Sequence, residues 1–312
     1  MVMKFSRAYC QELGKTRSPY QARELYTDEE GEYFERELTF LCEDPNCRAR
    51  VTPVGIYMAR KSKRALHFRT KDEHKTGCDF LAPGDGGGRV RRPPENEDDF
   101  KPTDFPTELD LNPPKRKRNS GGGSTVDTDD DDADSPGGSD GSHASGGKRK
   151  TSTRTRYLDL VVDCFLSGDD ESKKGQFTVA GKTKSFERFF KKVQYFGDET
   201  GLIYYGAVDD LKIYNGKGVG LRFVEPVWVD KKKYRVRVYV PQEQIDASRR
   251  KKSFMNEMRE LKEAFDSGEE VLAFFVGAYP VKETIEKKDG TNFDIYGANL
   301  TSVDHLSLVF AK

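Results

Sequence analysis

Four residues between positions 42 and 78 constrain this chain most. CEDPNC places Cys42 and Cys47 with four residues between them, and twenty-six residues later HKTGC places His74 and Cys78 with three between them. Two ligand pairs at short spacing, joined by a longer connection, are what a structural zinc site requires. Zn2+ takes four soft or borderline donors in a tetrahedron, and each short pair supplies one edge. Asp44, Pro45 and Asn46 are turn formers. His74 and Cys78, at i and i+4, would share one face of a helical turn. Four protein ligands close the coordination sphere, so the expected ion is structural rather than catalytic. The competing reading is a set of unrelated buried thiols and a surface histidine. His67, in LHFR, is a spare donor that either replaces His74 or packs beside the site, and we place it beside the site.

Between the pairs, RARVTPVGIYMARKSKRALHFRT reads as strand, basic turn, strand. The turn carries Arg60, Lys61, Lys63 and Arg64. A solvated loop explains such a cluster; contact with nucleic-acid phosphates is the functional alternative. A strand is expected to end at Cys42, and Tyr20, Tyr26, Tyr33 and Phe34 to pack on the hairpin, since a small metal domain has little other core. The order Cys pair, hairpin, HF, then His and Cys resembles the zinc-binding N-terminal element of the competence CoiA family over about residues 38–80. The resemblance implies a metal site and a connection to DNA biology. It does not extend to the nuclease half of that family, because no ordered Asp, Glu-x-Lys constellation follows.

The 312 residues allow two modest domains and a linker. The expected division is a small α+β zinc-binding domain at 1–80, a disordered charged linker at 81–153, and a mainly-β domain at 154–312. The linker has no hydrophobic period, and its Gly, Ser, Pro and charge cannot repay the entropy of ordering. Its charges are sorted into blocks, basic at 115–118, acidic at 127–134 and basic again at 148–150. PPKRKR within it would pass for a nuclear localisation signal in a eukaryotic cell. Lys plus Arg balance Asp plus Glu at 53 each, so net charge indicates no partner. No apolar run is long enough to span a bilayer and the N-terminus lacks the apolar core of a signal peptide, so a cytoplasmic location without a membrane partner is expected. Five cysteines, three of them in the cluster, suit metal binding better than a disulfide framework; Cys10 and Cys164 are expected as small core residues.

In the second domain, YLDLVVDCFL alternates and is expected as a strand, with Leu158, Leu160, Val162 and Cys164 inward and Asp159 and Asp163 on an exposed face. SFERFFKKVQYF is expected as a helix over 185–196, capped by Ser185 and stopped at Gly197. Short strands follow, with a turn at residues 230–232, then a helix carrying Phe254, Met258, Leu261 and Phe265 on one face, then further strands. Strands, a helix, then more strands is the order of an OB-like β-barrel with two helices.

One strand, KYRVRVYV, places Tyr234, Val236, Val238 and Val240 on one face and Lys233, Arg235, Arg237 and Tyr239 on the other, with Arg222 and Trp228 on neighbouring strands. Cations interleaved with aromatics suit single-stranded nucleic acid, bases stacking while guanidinium groups meet phosphates. Alternating cations also protect edge strands from pairing with other chains. The expected function is therefore a non-enzymatic, single-stranded DNA-binding protein. The alternatives are a protein–protein adaptor in a nucleic-acid-processing or defence assembly, and a nuclease. GKTKS at 181–185 lacks the glycine spacing of a P-loop, His143 lies in the linker, and His305 is expected as a satisfied structural histidine.

Overall fold

The computed structural model describes residues 3–58, 65–70, 73–78, 80, 102, 105–112, 154–286 and 290–310. The described residues are mostly β, with five α-helices, in an N-terminal and a C-terminal lobe.

The N-terminal lobe contains β1 (Met3–Phe5), β2 (Ala8–Cys10), β3 (Lys15–Arg17), α1 (Pro19–Thr27), β4 (Phe40–Leu41), β5 (Arg50–Val54) and β6 (His67–Thr70). The strands form one antiparallel sheet in the order β1-β6-β5-β4-β2-β3. Helix α1 starts at a reciprocal cap: the Ser18 hydroxyl accepts from the Gln21 amide and the Gln21 side chain accepts from Ser18 N–H. Phe5, Phe40, Ile56 and Phe68 form the core with Cys10. The β5–β6 hairpin lies where the sequence reading places it, with Thr52 opposite Arg69 and Val54 opposite His67. Its basic tip, with Arg60, Lys61, Lys63 and Arg64, lies outside the described residues.

The C-terminal lobe begins with β7 (Glu108–Leu109), β8 (Arg154–Thr155), α2 (Leu158–Ser167), α3 (Asp170–Lys173), β9 (Gln176–Val179) and β10 (Lys182–Ser185). These strands make a small sheet in the order β10-β9-β7-β8. Residues 105–112, within the expected linker, thus contribute β7, and the Phe105 ring packs on Phe186 at 5.0 Å. The other described linker residue is Pro102; the charge blocks and PPKRKR lie outside the described residues.

The larger sheet comprises β11 (Phe190–Lys192), β12 (Ile203–Tyr214), β13 (Gly218–Phe223), β14 (Val227–Val229), β15 (Lys232–Pro241), β16 (Val271–Phe275), β17 (Val281–Glu286), β18 (Asn292–Asn299) and β19 (Leu306–Phe310). Between β15 and β16 come α4 (Gln242–Asp246) and α5 (Lys251–Asp266). The sheet is curled, in the order β17-β18-β15-β13-β12-β16-β19, with β11 beside β12 and β14 beside β15. Its concave side is filled by Val219, Leu221, Phe223, Val236, Val238, Val240 and Phe275, all buried. Asp230 and Lys231, both at positive φ, make the tight turn between β14 and β15. At Gly218 φ is +131° and a Cβ would lie 2.2 Å from the Val240 carbonyl oxygen, so this position requires glycine.

Helix α5 is as the sequence reading has it, with Phe254, Met258 and Leu261 buried and Gly268 at φ +75° beyond its end. Two other expectations are corrected. Residues 158–167 form α2, not a strand: Leu158, Val161, Val162 and the half-buried Phe165 also satisfy a helical period, and α2 packs on β19. Residues 185–196 are two 3-10 turns, Phe186–Phe189 and Val193–Asp198, flanking β11 rather than one α-helix. The stripe Phe186, Phe189, Phe190, Val193 and Phe196 is buried as expected. Its aromatic and β-branched residues have weak helix propensity, and β12 offers β11 a parallel ladder.

A polar seam joins the lobes. Tyr20 on α1 donates to Asp163 on α2 at 2.6 Å, and Arg156 and Tyr157 meet Glu24 at 2.5 and 2.6 Å. Glu257 on α5 binds Arg250 at 2.9 Å and Arg23 of α1 at 3.4 Å. Asp159 accepts from Ser307 on β19. Asp163 is therefore buried, and neither acidic residue of α2 lies on an exposed strand face. Tyr20 faces this seam and the Phe34 ring lies under Lys252, while Tyr26 packs on Tyr57 of the hairpin segment and Tyr33 on the N-terminal core.

Candidate metal centre and cationic sheet face

The chain segments around Cys42 and Cys47 fold as the turn formers dictate. Cys42 follows β4, its N–H donates to Ala49 O at 2.7 Å, and the N–H groups of Cys47 and Arg48 close onto Asp44 O at 3.1 Å. Arg48, at φ +49°, donates back to the carbonyls of Cys42 and Glu43. The second pair lies on a turn, not on the helix expected from its spacing. Gly77 at φ +88° breaks helical geometry, and Cys78 N–H bonds Lys75 O at 3.0 Å.

This brings Cys42, Cys47, His74 and Cys78 together, their ligand atoms all within 4.8 Å of one another. Cys42 Sγ lies 3.8 Å from Cys78 Sγ, and His74 Nδ1 lies 3.2 and 3.3 Å from the sulfurs of Cys78 and Cys47. A metal bonded to sulfur at about 2.3 Å and to nitrogen at about 2.0 Å in a tetrahedron sets S···S near 3.8 Å and S···N near 3.5 Å. The donor set fits a metal ion, and no disulfide competes for it. Burial pushes the Cys78 thiol up to about 11 and raises Cys42 further, with the neighbouring thiols adding to it. Burial acts on Cys47 in the same sense, but N–H groups of Ala49 and Lys75 and the other two thiols outweigh it and lower its value. Burial also lowers His74 against the pull of Asp44, favouring the neutral imidazole that ligates metals. His74 Nε2 is buried without a hydrogen-bond partner among the described residues. His67 is not among the four; its Nδ1 lies 2.9 Å from Ala65 O. His305 is satisfied, with Nε2 3.0 Å from Leu111 O.

The second feature follows from the period of two in β15. Lys233, Arg235, Arg237 and Tyr239 lie on the convex side of the curled sheet, while Val236, Val238 and Val240 are buried on the other. Register sets Arg222 of β13 directly opposite Arg237, and Trp228 of β14 opposite Lys233. Like charges directly opposite repel, and carboxylates relieve this pair. Arg222 bonds Asp209 at 2.8 Å and Asp210 at 3.4 Å, Arg235 lies 3.7 Å from Asp209, and Arg237 lies 3.3 Å from Glu283. Lys233 is over the Trp228 ring at 4.8 Å and Arg237 over Tyr239 at 5.5 Å. Tyr214 packs edge-on to Tyr239, its hydroxyl 3.4 Å from Arg237. The sequence alone suggests a turn region at DLKIYNGKG, residues 210–218, and so misses Tyr214, whereas β12 continues to Tyr214.

The sequence matches no model of a known protein family and no curated protein. Among the described residues no helix is long and apolar enough to cross a membrane.

Proposed function

We propose that the chain is a non-enzymatic nucleic-acid-binding protein that takes single strands on the outer face of an OB-like barrel, with a structural zinc ion stapling its N-terminal lobe. Three thiolates and one imidazole are a closed Cys3His set of the kind structural zinc takes. The barrel reading rests on strand pairing. β12, β13 and β15 form an antiparallel meander, β15 runs parallel to β18, β18 is antiparallel to β17, and β17 continues from β16, which returns antiparallel to β12. With residues 276–280 as a bend in one strand, this is a ring of five with α5 between the third and fourth. In such barrels the face of the second and third strands takes oligonucleotides, and these are β13 and β15.

The observation that carries the reading is the opposed pair Arg222 and Arg237, with Arg235 beside them, between the exposed Trp228 and the tyrosines 214 and 239. Their carboxylate partners do not argue against it. Exposed ion pairs contribute only about 0–1 kcal/mol, so phosphates can replace Asp209 and Asp210 at little cost. Each base stacked on an aromatic ring contributes about 1–3 kcal/mol.

Fluorescence anisotropy with a labelled single-stranded oligonucleotide tests this. Binding should weaken steeply as salt rises. Arg235→Ala should lower the log–log salt slope by about one, and Asp209→Asn, which removes the competing carboxylate, should tighten binding. No binding at low salt would remove the proposal. A protein–protein adaptor is the second reading, favoured by exposed Trp228 (61%), Val281 (52%) and Phe293 (39%). Partner capture that survives nuclease treatment would support it.

A further inference from the structure

The N-terminal sheet carries a second cationic face, built by strand register. One row of side chains runs Lys4, Arg69, Thr52 across β1, β6 and β5. The next runs Arg50, Leu41, Tyr9 across β5, β4 and β2. Arg50 and Thr52, two apart on β5, put both rows on one side of the sheet. The alternate positions, Phe5, Phe68, Val51 and Phe40, are buried on the other side, in the core of the lobe. Arg50, Thr52 and Arg69 are exposed. Arg48 joins them, its guanidinium 3.5 Å from the centroid of the Tyr9 ring and held there by donating to the carbonyls of Cys42 and Glu43.

Two properties of this face select its occupant. Its cations lack counter-charges. Neither row contains an acidic residue, and among the described residues no carboxylate lies within ion-pair distance of Arg48, Arg50 or Arg69. On the convex face of the C-terminal sheet, by contrast, Arg222, Arg235 and Arg237 each have a carboxylate partner. Uncompensated positive charge on a sheet face complements a polyanion. The face also lacks an open aromatic platform, since Tyr9 lies under Arg48. Single strands are held by bases stacking on exposed rings. A duplex keeps its bases stacked within itself and offers phosphates alone to such a surface. Arg50 and Arg69 are diagonal neighbours across β5 and β6, about 7–8 Å apart at the backbone. Double-stranded DNA carries one charge per about 1.7 Å of axis, so phosphates fall within reach of both. We infer that this face binds the phosphate backbone of a nucleic-acid duplex without reading its sequence. The site is separate from the convex face of the C-terminal sheet and does not depend on the single-strand reading.

Fluorescence anisotropy of a labelled blunt-ended DNA duplex with the full metal-loaded chain, over a range of salt concentrations, tests the inference. Two duplexes of unrelated sequence should bind within about twofold of each other. Arg50→Ala combined with Arg69→Ala should lower the log–log salt slope by about two and weaken duplex binding at least about tenfold at 0.1 M salt. Arg50→Lys combined with Arg69→Lys keeps both charges and should keep the slope. Arg259→Ala removes an exposed cation from α5 and should leave the slope unchanged, which separates a local contact from net charge. No duplex binding at low salt, an unchanged slope in the double alanine variant, or a slope lost equally in the double lysine variant overturns the inference. Any of these leaves the single-strand reading standing, and failure of a single strand to bind leaves the duplex site standing.

Discussion

Cys47→Ser, or removal of the metal with a chelator, is expected to unfold the N-terminal lobe while the C-terminal curled sheet keeps its strands. Among the described residues the lobe's core cluster has nine buried apolar side chains, from Phe5 to Phe68, and its strands are two to five residues long. So small a core carries little stability of its own. Structural zinc binding contributes an apparent ~10–16 kcal/mol, as much as the whole stability of a typical domain, about 5–15 kcal/mol. Loss of one ligand therefore exceeds what the core can offset. Circular dichroism melts with and without chelator should show an early transition only in the chelated protein, and limited proteolysis followed by mass spectrometry should report new cleavage sites, absent from the metal-loaded protein, within the first eighty or so residues. Cys10→Ala, which removes a buried thiol outside the cluster, should leave the lobe folded. Survival of the lobe in both the chelated protein and Cys47→Ser would sink the metal assignment.

Glu257→Ala should cost up to about 3–5 kcal/mol, because Arg250 and Arg23 lose the carboxylate they share in the seam, while Arg250 keeps Asp304 at 3.7 Å and Arg23 keeps the Gly55 carbonyl. The three side chains are 12%, 22% and 6% exposed, so water replaces little of what the carboxylate supplies. Burial raises the Glu257 carboxyl while Arg250 and Arg23 act to lower it, which is the balance of a desolvated pair held by geometry. A lower urea midpoint, with the two lobes unfolding in separate steps, is the expected outcome. The Lys251–Asp246 pair, close in sequence and at the surface, is the contrast: Asp246→Ala should leave the midpoint unchanged. If the two variants behave alike, the seam does not hold the lobes together.

What could be read from the sequence divides along physical lines. The Cys42, Cys47, His74 and Cys78 cluster was legible because the short ligand spacing that a metal ion's geometry would impose is local. The cationic face was legible because period-two alternation in β15 decides which side chains share a face, whatever surrounds the strand. Residues 158–167 were not, since their apolar positions satisfy both a period of two and a helical period. Contacts from Tyr20 and Ser307, each more than 140 residues distant, go with the helix. The seam was equally hidden. Arg23 and Glu257 are 234 residues apart and look in sequence like ordinary surface charge. The stripe at 186–196 gave the correct buried side chains and the wrong backbone, because 3-10 turns around a short strand bury the same positions as a helix.

Ultraviolet crosslinking of a single-stranded oligonucleotide to the intact, metal-loaded chain, with the joined peptides identified by mass spectrometry, asks where the strand lies. Adducts at Tyr214, Trp228 and Tyr239 are the expected result, reduced by excess salt. Saturated binding with adducts confined to the N-terminal lobe, or to strands other than β12 to β15, would contradict it.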